Sequence, residues 1–258
     1  SLNMTDEKNL NYIKSPKKVK LHYDQMKNTI DLLEGSGFAK EKIYPVIDIE
    51  SDTDPKKTRY NICWSKKVSG VNEGNFLSIN SYEKIIEAKS FQMLLFDNSV
   101  IRCSLIFDGR EKLLKQNFSY VPCPLNRLYE EYEVEALTQL LDEISVGIYE
   151  KDKLLMRTAI RLDFDLEKDT ELHPASHMHL QNSSTRLSVS GPICFNSFIK
   201  HIIETYYPQA YYIKNKILSE SLYESINLDN WGGLIINNTN QKIKYKNQSE
   251  IFIPQIKH

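Results

Sequence analysis

Three histidines lie within seven residues: His173, His177 and His179. Just upstream stand Arg161, Asp163 and Asp165. In a β-strand, residues i and i+2 share a face, so R-x-D-x-D presents a guanidinium and two carboxylates to one side. H-x-H presents two imidazoles in the same way. If the two segments are neighbours in a sheet, carboxylates, imidazoles and an arginine meet at one spot. Three chemistries fit that meeting. The first is metal binding: His177 and His179 chelate one divalent ion such as zinc, with Asp163 or His173 as a third ligand. The second is acid–base work on a phosphodiester with no metal or other cofactor. There one imidazole accepts a proton, another donates one, Arg161 stabilises charge on the phosphoryl oxygens, and Asp163 holds a histidine in the useful tautomer. The third is a buried Arg–Asp–His network that only locks the strands to their neighbours. The candidate catalytic residues are therefore Arg161, Asp163, His173, His177 and His179, and the candidate metal ligands are His177, His179 and Asp163.

Other chemistry is thinly represented. No G-x-G-x-x-G or G-x-x-x-x-G-K-[ST] occurs, and only 9 of 258 residues are glycine, so classical dinucleotide and P-loop chemistry are not expected. No strand-borne E-x-K follows an aspartate; Glu150-Lys151-Asp152-Lys153 reads as a turn. The four cysteines, Cys63, Cys103, Cys123 and Cys194, form no C-x-x-C pair and no zinc-knuckle spacing. They read as free, buried thiols, which fits a reducing, cytoplasmic setting. Ser190-Gly191-Pro192 reads as a strand-to-helix turn before it reads as an anion site. The tyrosine pairs Tyr206-Tyr207 and Tyr211-Tyr212 read as packing before base stacking.

Lys plus Arg (33) nearly cancels Asp plus Glu (34). That balance excludes a wholesale polyanion binder and leaves room for a local basic groove. Seven of the 33 basic residues are arginine; in so lysine-rich a chain, a retained arginine hints that its planar fork is needed. No apolar run approaches the ~18–20 residues of a membrane span, so no membrane association is expected.

The elements that must hold these residues follow from periodicity. Val19, Tyr23, Met26, Ile30 and Leu33 recur at helical spacing, and Gly35-Ser36-Gly37 ends that helix. Residues 44–50 and 59–65 are short β-rich runs, and Ser81 reads as the cap of a short helix. Residues 91–122 form an antiparallel meander, with turns at Asp97-Asn98-Ser99 and Asp108-Gly109. Its middle strand alternates, Ile101, Cys103, Leu105 and Phe107 facing one way and Val100, Arg102, Ser104 and Ile106 the other. An amphipathic helix is expected over 127–144, further strands near 154–165, 175–180 and 186–190, and a helix after Gly191-Pro192. The fold class is α+β: a central, mostly antiparallel sheet with packed helices and an N-terminal helix. The organisation is a helical segment over 1–40, flexible relative to one α+β domain over 41–226, and an Asn/Lys-rich tail over 227–258.

The segments MLLFDNSVIRCSLIF, NFSYVPCP, RLDFD…HPASHMHL and RLSVSGPICFNSFIKHIIETYY, in that order, resemble the domain of unknown function 2290 family of bacterial proteins. The resemblance covers roughly residues 40–210 and implies no established activity. Asn98 stands where that family tends to have glycine, and Asn also tolerates positive φ. A third of the chain is similar to TumE-like toxins of bacterial toxin–antitoxin pairs. Arg161, Asp163, His177 and His179 match the arginine, aspartate and paired histidines of their pattern, while their Asn-Ala-Pro-His-His run is replaced here by FDLEKDTELHP. Both likenesses suggest a conflict or defence setting, and with the Arg–Asp–His cluster the expectation is a toxin or anti-phage defence component that acts on RNA or DNA by metal-free phosphodiester cleavage. The alternative is a non-enzymatic subunit that binds a protein partner encoded nearby and uses the Arg–Asp–His cluster structurally.

Overall fold

A computed structural model describes residues 10–64, 79–125, 137, 139, 141–143, 146–147, 154, 157–168, 175–181, 187–189, 191–208 and 210. Among them nine strands form one sheet: β1 (Ala39–Lys42), β2 (Val46–Glu50), β3 (Arg59–Cys63), β4 (Met93–Leu95), β5 (Val100–Asp108), β6 (Leu113–Val121), β7 (Ile160–Asp165), β8 (Ser176–Leu180) and β9 (Leu187–Ser188). Helices α1 (Lys17–Gly35), α2 (Ile79–Glu87) and α3 (Phe195–Tyr206) accompany it. Every strand pairing is antiparallel, in the order β1-β4-β5-β6-β7-β8-β9, and β3 carries β2 on its outer side. One edge of β5 is shared: β4 pairs with Val100–Ile101 and β3 with Leu105–Asp108. The α+β expectation holds.

The alternation read from β5 fixes the two faces. Ile101, Cys103, Leu105 and Phe107 join Phe118, Tyr120, Ile160, Leu162, Phe164 and Met178 in the main core. Helix α1 covers it with Val19, Met26, Ile30 and Leu33, and α3 with Phe195, Phe198, Ile199, Ile202 and Ile203. Helix α1 therefore packs into the main core. Its end is a Schellman turn: Gly37, at φ 77°, donates to the Glu34 carbonyl, Phe38 donates to the Leu33 carbonyl, and both Leu33 and Phe38 are buried. A second core gathers Tyr82, Ile85 and Ile86 of α2 around Val100, Val121, Cys123 and Leu125. All four cysteines are free and buried.

Several boundaries depart from the sequence reading. β7 begins at Ile160 rather than near 154; Leu154 makes only an isolated bridge to Leu125. Just before β7 the Thr158 carbonyl accepts from the Tyr206 hydroxyl, and the Arg157 side chain reaches Asp97 at 3.2 Å. Ser81 lies inside α2 and is buried, because the Ile79, Tyr82, Ile85 and Ile86 spacing draws the helix start upstream of it. β1 (Ala39–Lys42) is an additional edge strand whose Ala-Lys-Glu-Lys sequence lacks the β signal; charged residues suit an edge. In the Asp108-Gly109 turn the positive φ, 63°, belongs to Glu111. Gly109 is needed for space, since a Cβ there would sit 2.6 Å from the Pro55 carbonyl oxygen. Most of the helix expected over 127–144 lies outside the described residues, as do Tyr211, Tyr212, Trp231 and the tail; Leu137 and Leu141 are helical and buried in the second core. Among the described residues no helix is long and apolar enough to cross a membrane.

Candidate functional site

The sheet face opposite α1 and α3 carries the polar residues, and its position follows from register alone. Cα pairing aligns Arg102, Ser119, Arg161 and His179 in one row across β5, β6, β7 and β8. The adjacent row holds Ser104, Asn117, Asp163 and His177. Two-residue periodicity puts these rows on the same side of the sheet. The neighbouring strands predicted from R-x-D-x-D and H-x-H therefore exist, and four of the five candidate residues come together.

Asp163 is the hub. Its Oδ2 accepts from Arg161 Nε at 2.8 Å and faces His179 Nε2 at 3.2 Å and His177 Nε2 at 3.8 Å. Its Oδ1 accepts from Asn117 Nδ2 at 2.8 Å, and Asn117 Oδ1 accepts from Ser119 Oγ. The two imidazoles meet edge to face with centroids 4.7 Å apart. His179 Nδ1 is buried with no hydrogen-bond partner among the described residues. Burial raises the Asp163 carboxyl, but the His179 hydrogen bond and the charges of Arg161, His179 and His177 outweigh it and hold the group below its ordinary 3.8. Asp163 is therefore ionised at neutral pH. The cluster lies deep: Arg161, His177 and His179 are 6%, 3% and 1% exposed, and Asp163 is half-buried. One ligand atom from each of Asp163, His177 and His179 lies within 4.8 Å of the others.

His173 lies outside the described residues. Asp165 shares the face but turns to Lys115 at 3.2 Å and Lys168 at 3.7 Å instead of joining the hub. Asn117 and Ser119, which orient Asp163, were missed in the sequence. The available signal was the N-F-S spacing on β6, which places them on Arg102's side of the meander. Arg102 itself stacks on Trp64 at 4.2 Å and donates to Ser90 through Nε and a terminal nitrogen. A second polar network also escaped the sequence reading: Asp97 Oδ2 takes Arg157 and the Tyr207 hydroxyl, which meets the Tyr120 hydroxyl at 2.9 Å. It ties the first hairpin turn to the end of α3, so Tyr207 is a packing residue.

A sequence family described as "Uncharacterized conserved protein (DUF2290)" matches residues 46–246. No curated protein and no solved structure matches the chain.

Proposed function

The chain belongs to the DUF2290 family of uncharacterized conserved proteins, and from its polar cluster we propose that it cleaves RNA by acid–base chemistry without a metal. The observation that supports this reading is the Asp163–His179 contact, 3.2 Å from Oδ2 to Nε2, with His179 Nδ1 left without a hydrogen-bond partner among the described residues. A carboxylate at one ring nitrogen keeps the proton there, so the other nitrogen is a proton acceptor. RNA brings its own nucleophile. His179 Nδ1 takes the proton of a ribose 2′-hydroxyl, and the 2′-oxygen bonds to phosphorus. The bond from phosphorus to the 5′-oxygen breaks, and His177 gives the leaving oxygen a proton. The products are a 2′,3′-cyclic phosphate and a 5′-hydroxyl. Arg161 sets a permanent positive charge beside the phosphoryl oxygens, which carry more charge in the transition state than before it. Access to Nδ1 requires local opening of this face, which costs far less than global unfolding in many folds. Such an activity suits a toxin or an anti-phage defence component.

One observation favours a second reading. Imidazoles 3% and 1% exposed are also what a structural lock needs, in a non-enzymatic subunit that binds a protein partner. The test is incubation of the full chain with a labelled RNA oligonucleotide in chelator, with cleavage ends read by mass and melting followed by circular dichroism. A cyclic-phosphate product from the wild type, lost by about 100-fold or more in His179→Gln with its melting temperature kept, supports the enzyme. Absence of cleavage by the wild type, together with a melting temperature several degrees lower in His177→Gln and His179→Gln, assigns the cluster to the fold.

A further inference from the structure

We infer that Asp163, His177 and His179 also form a binding site for a divalent ion of the zinc type, and that filling it switches the acid–base centre off. The site half of the inference stands on the three side chains alone; the switch half rests on the proposed function. The donor set is two imidazoles and one carboxylate, which suits zinc, cobalt or nickel better than the oxygen-seeking magnesium or calcium. A four-coordinate ion with bonds of about 2.0–2.1 Å holds its ligand atoms about 3.3 Å apart. The separations found here, 3.2 Å from Asp163 Oδ2 to His179 Nε2 and 3.8 Å to His177 Nε2, bracket that value.

The scaffold around the ligands is of the kind that metal sites require. Both imidazoles stand two residues apart on β8, and Asp163 pairs directly with His177 across β7. Asn117 holds Asp163 Oδ1 at 2.8 Å, so the carboxylate is oriented with Oδ2 toward the rings. The other group of three potential ligands among the described residues, Glu83, Glu87 and Asp142, is all carboxylate, with Glu87 and Asp142 exposed, and offers no nitrogen. One feature opposes the ion. Arg161 Nε donates to Oδ2 at 2.8 Å, so a cation must compete with a guanidinium for the same oxygen. Removal of that guanidinium should therefore tighten binding, an outcome that adventitious surface binding would not give.

The switch follows from tautomer chemistry. In the ion-free chain, the proton sits on His179 Nε2 beside Asp163, and Nδ1 is the acceptor. An ion bound at Nε2 displaces that proton. The neutral ring then carries its proton on Nδ1, which becomes a donor and no longer takes a proton from the 2′-hydroxyl.

The test uses the full chain after treatment with chelator. Co²⁺ is titrated with its visible absorption as readout, and Zn²⁺ is titrated by calorimetry. One ion per chain is expected, with affinity at least tenfold weaker in Asp163→Asn and in His179→Gln, and tighter in Arg161→Met. Circular dichroism checks that each variant folds; where His179→Gln does not, His177→Gln takes its place. Failure to bind either ion, or binding unchanged in Asp163→Asn and the histidine variant, overturns the site. The RNA cleavage assay then runs with one equivalent of Zn²⁺ and again after excess chelator. Loss of cleavage on addition and recovery on chelation supports the switch. Stoichiometric binding with undiminished cleavage refutes the switch and leaves the site. No cleavage in chelator refutes the proposed function and the switch with it, while the titrations decide the site independently.

Discussion

Replacement of Asp163 by Asn removes the carboxylate on which Arg161, His177 and His179 converge while keeping the shape of the side chain. Arg161 Nε lies 2.8 Å from Oδ2, and the two side chains are 7% and 15% exposed. Unit charges about 4 Å apart attract by about 4 kcal/mol at an effective dielectric of about 20. Removing one partner of a buried pair costs roughly 3–5 kcal/mol, the more so the less the other charge is compensated by its remaining contacts. Asp163 keeps some contact with solvent, and Asn retains one acceptor oxygen, so the low end, about 3 kcal/mol, applies. For a chain of this size that is a fall of roughly 6–12 °C in melting temperature. The pH dependence has a definite sign. The folded Asp163 carboxyl lies below its ordinary 3.8, so its contribution is full above that value and is lost as pH falls through the folded-state value. The gap between wild type and Asp163→Asn should be full at pH 7 and shrink on acidification below about pH 4. Urea denaturation at a series of pH values reads both. The double variant Arg161→Met, Asp163→Asn should recover part of the loss, since the guanidinium that faced the lost carboxylate is then removed as well. A neutral-pH deficit below about 1 kcal/mol, or a gap that does not shrink in acid, refutes the electrostatic account of the hub.

Two further predictions concern the frame. His22 is buried on α1 beside Phe107, and burial with the nearby Lys18 charge lowers its pKa from 6.5 to about 3. The unfolded chain therefore takes up this proton first, and folding stability falls as pH drops below 6.5, by about 2 kcal/mol between pH 6 and 4.5 from this residue. His22→Leu should flatten that part of the stability profile, and an unchanged slope in chemical denaturation contradicts the assignment. Gly109→Ala should destabilise by about 1–3 kcal/mol, because its Cβ would fall 2.6 Å from a backbone oxygen of Pro55 that has little freedom to move; a melting temperature within a degree of wild type would show that the turn yields.

Much of the fold was readable because burial imposes a period on the sequence. The two-residue alternation of Val100–Asp108 marks one apolar face, and the structure places Ile101, Cys103, Leu105 and Phe107 against α1 and α3. The helical spacing from Val19 to Leu33 and from Phe195 to Ile203 marks the helices that cover it. β1 was not readable, because Ala39 is the one apolar residue among its four and leaves no alternation to follow. The start of β7 differs from the sequence pattern where the Thr158 carbonyl accepts from the Tyr206 hydroxyl, a tertiary contact that leaves no local trace. The close approach of Gly109 to Pro55 joins positions far apart in the chain and leaves no local trace.

For the site, the sequence alone determined which side chains share a strand face: Arg161 with Asp163, and His177 with His179. That is a consequence of pleat geometry and needs no knowledge of neighbours. Only the tertiary structure decided that β7 and β8 pair with Asp163 opposite His177, that Asn117 and Ser119 stand behind the carboxylate, and that the imidazoles are buried. Register is set by how two apolar faces fit a common core, a property of the whole sheet, so no single strand encodes it. The charge state of Asp163 belongs to the same level, because it depends on positive groups that the fold brings within a few ångströms.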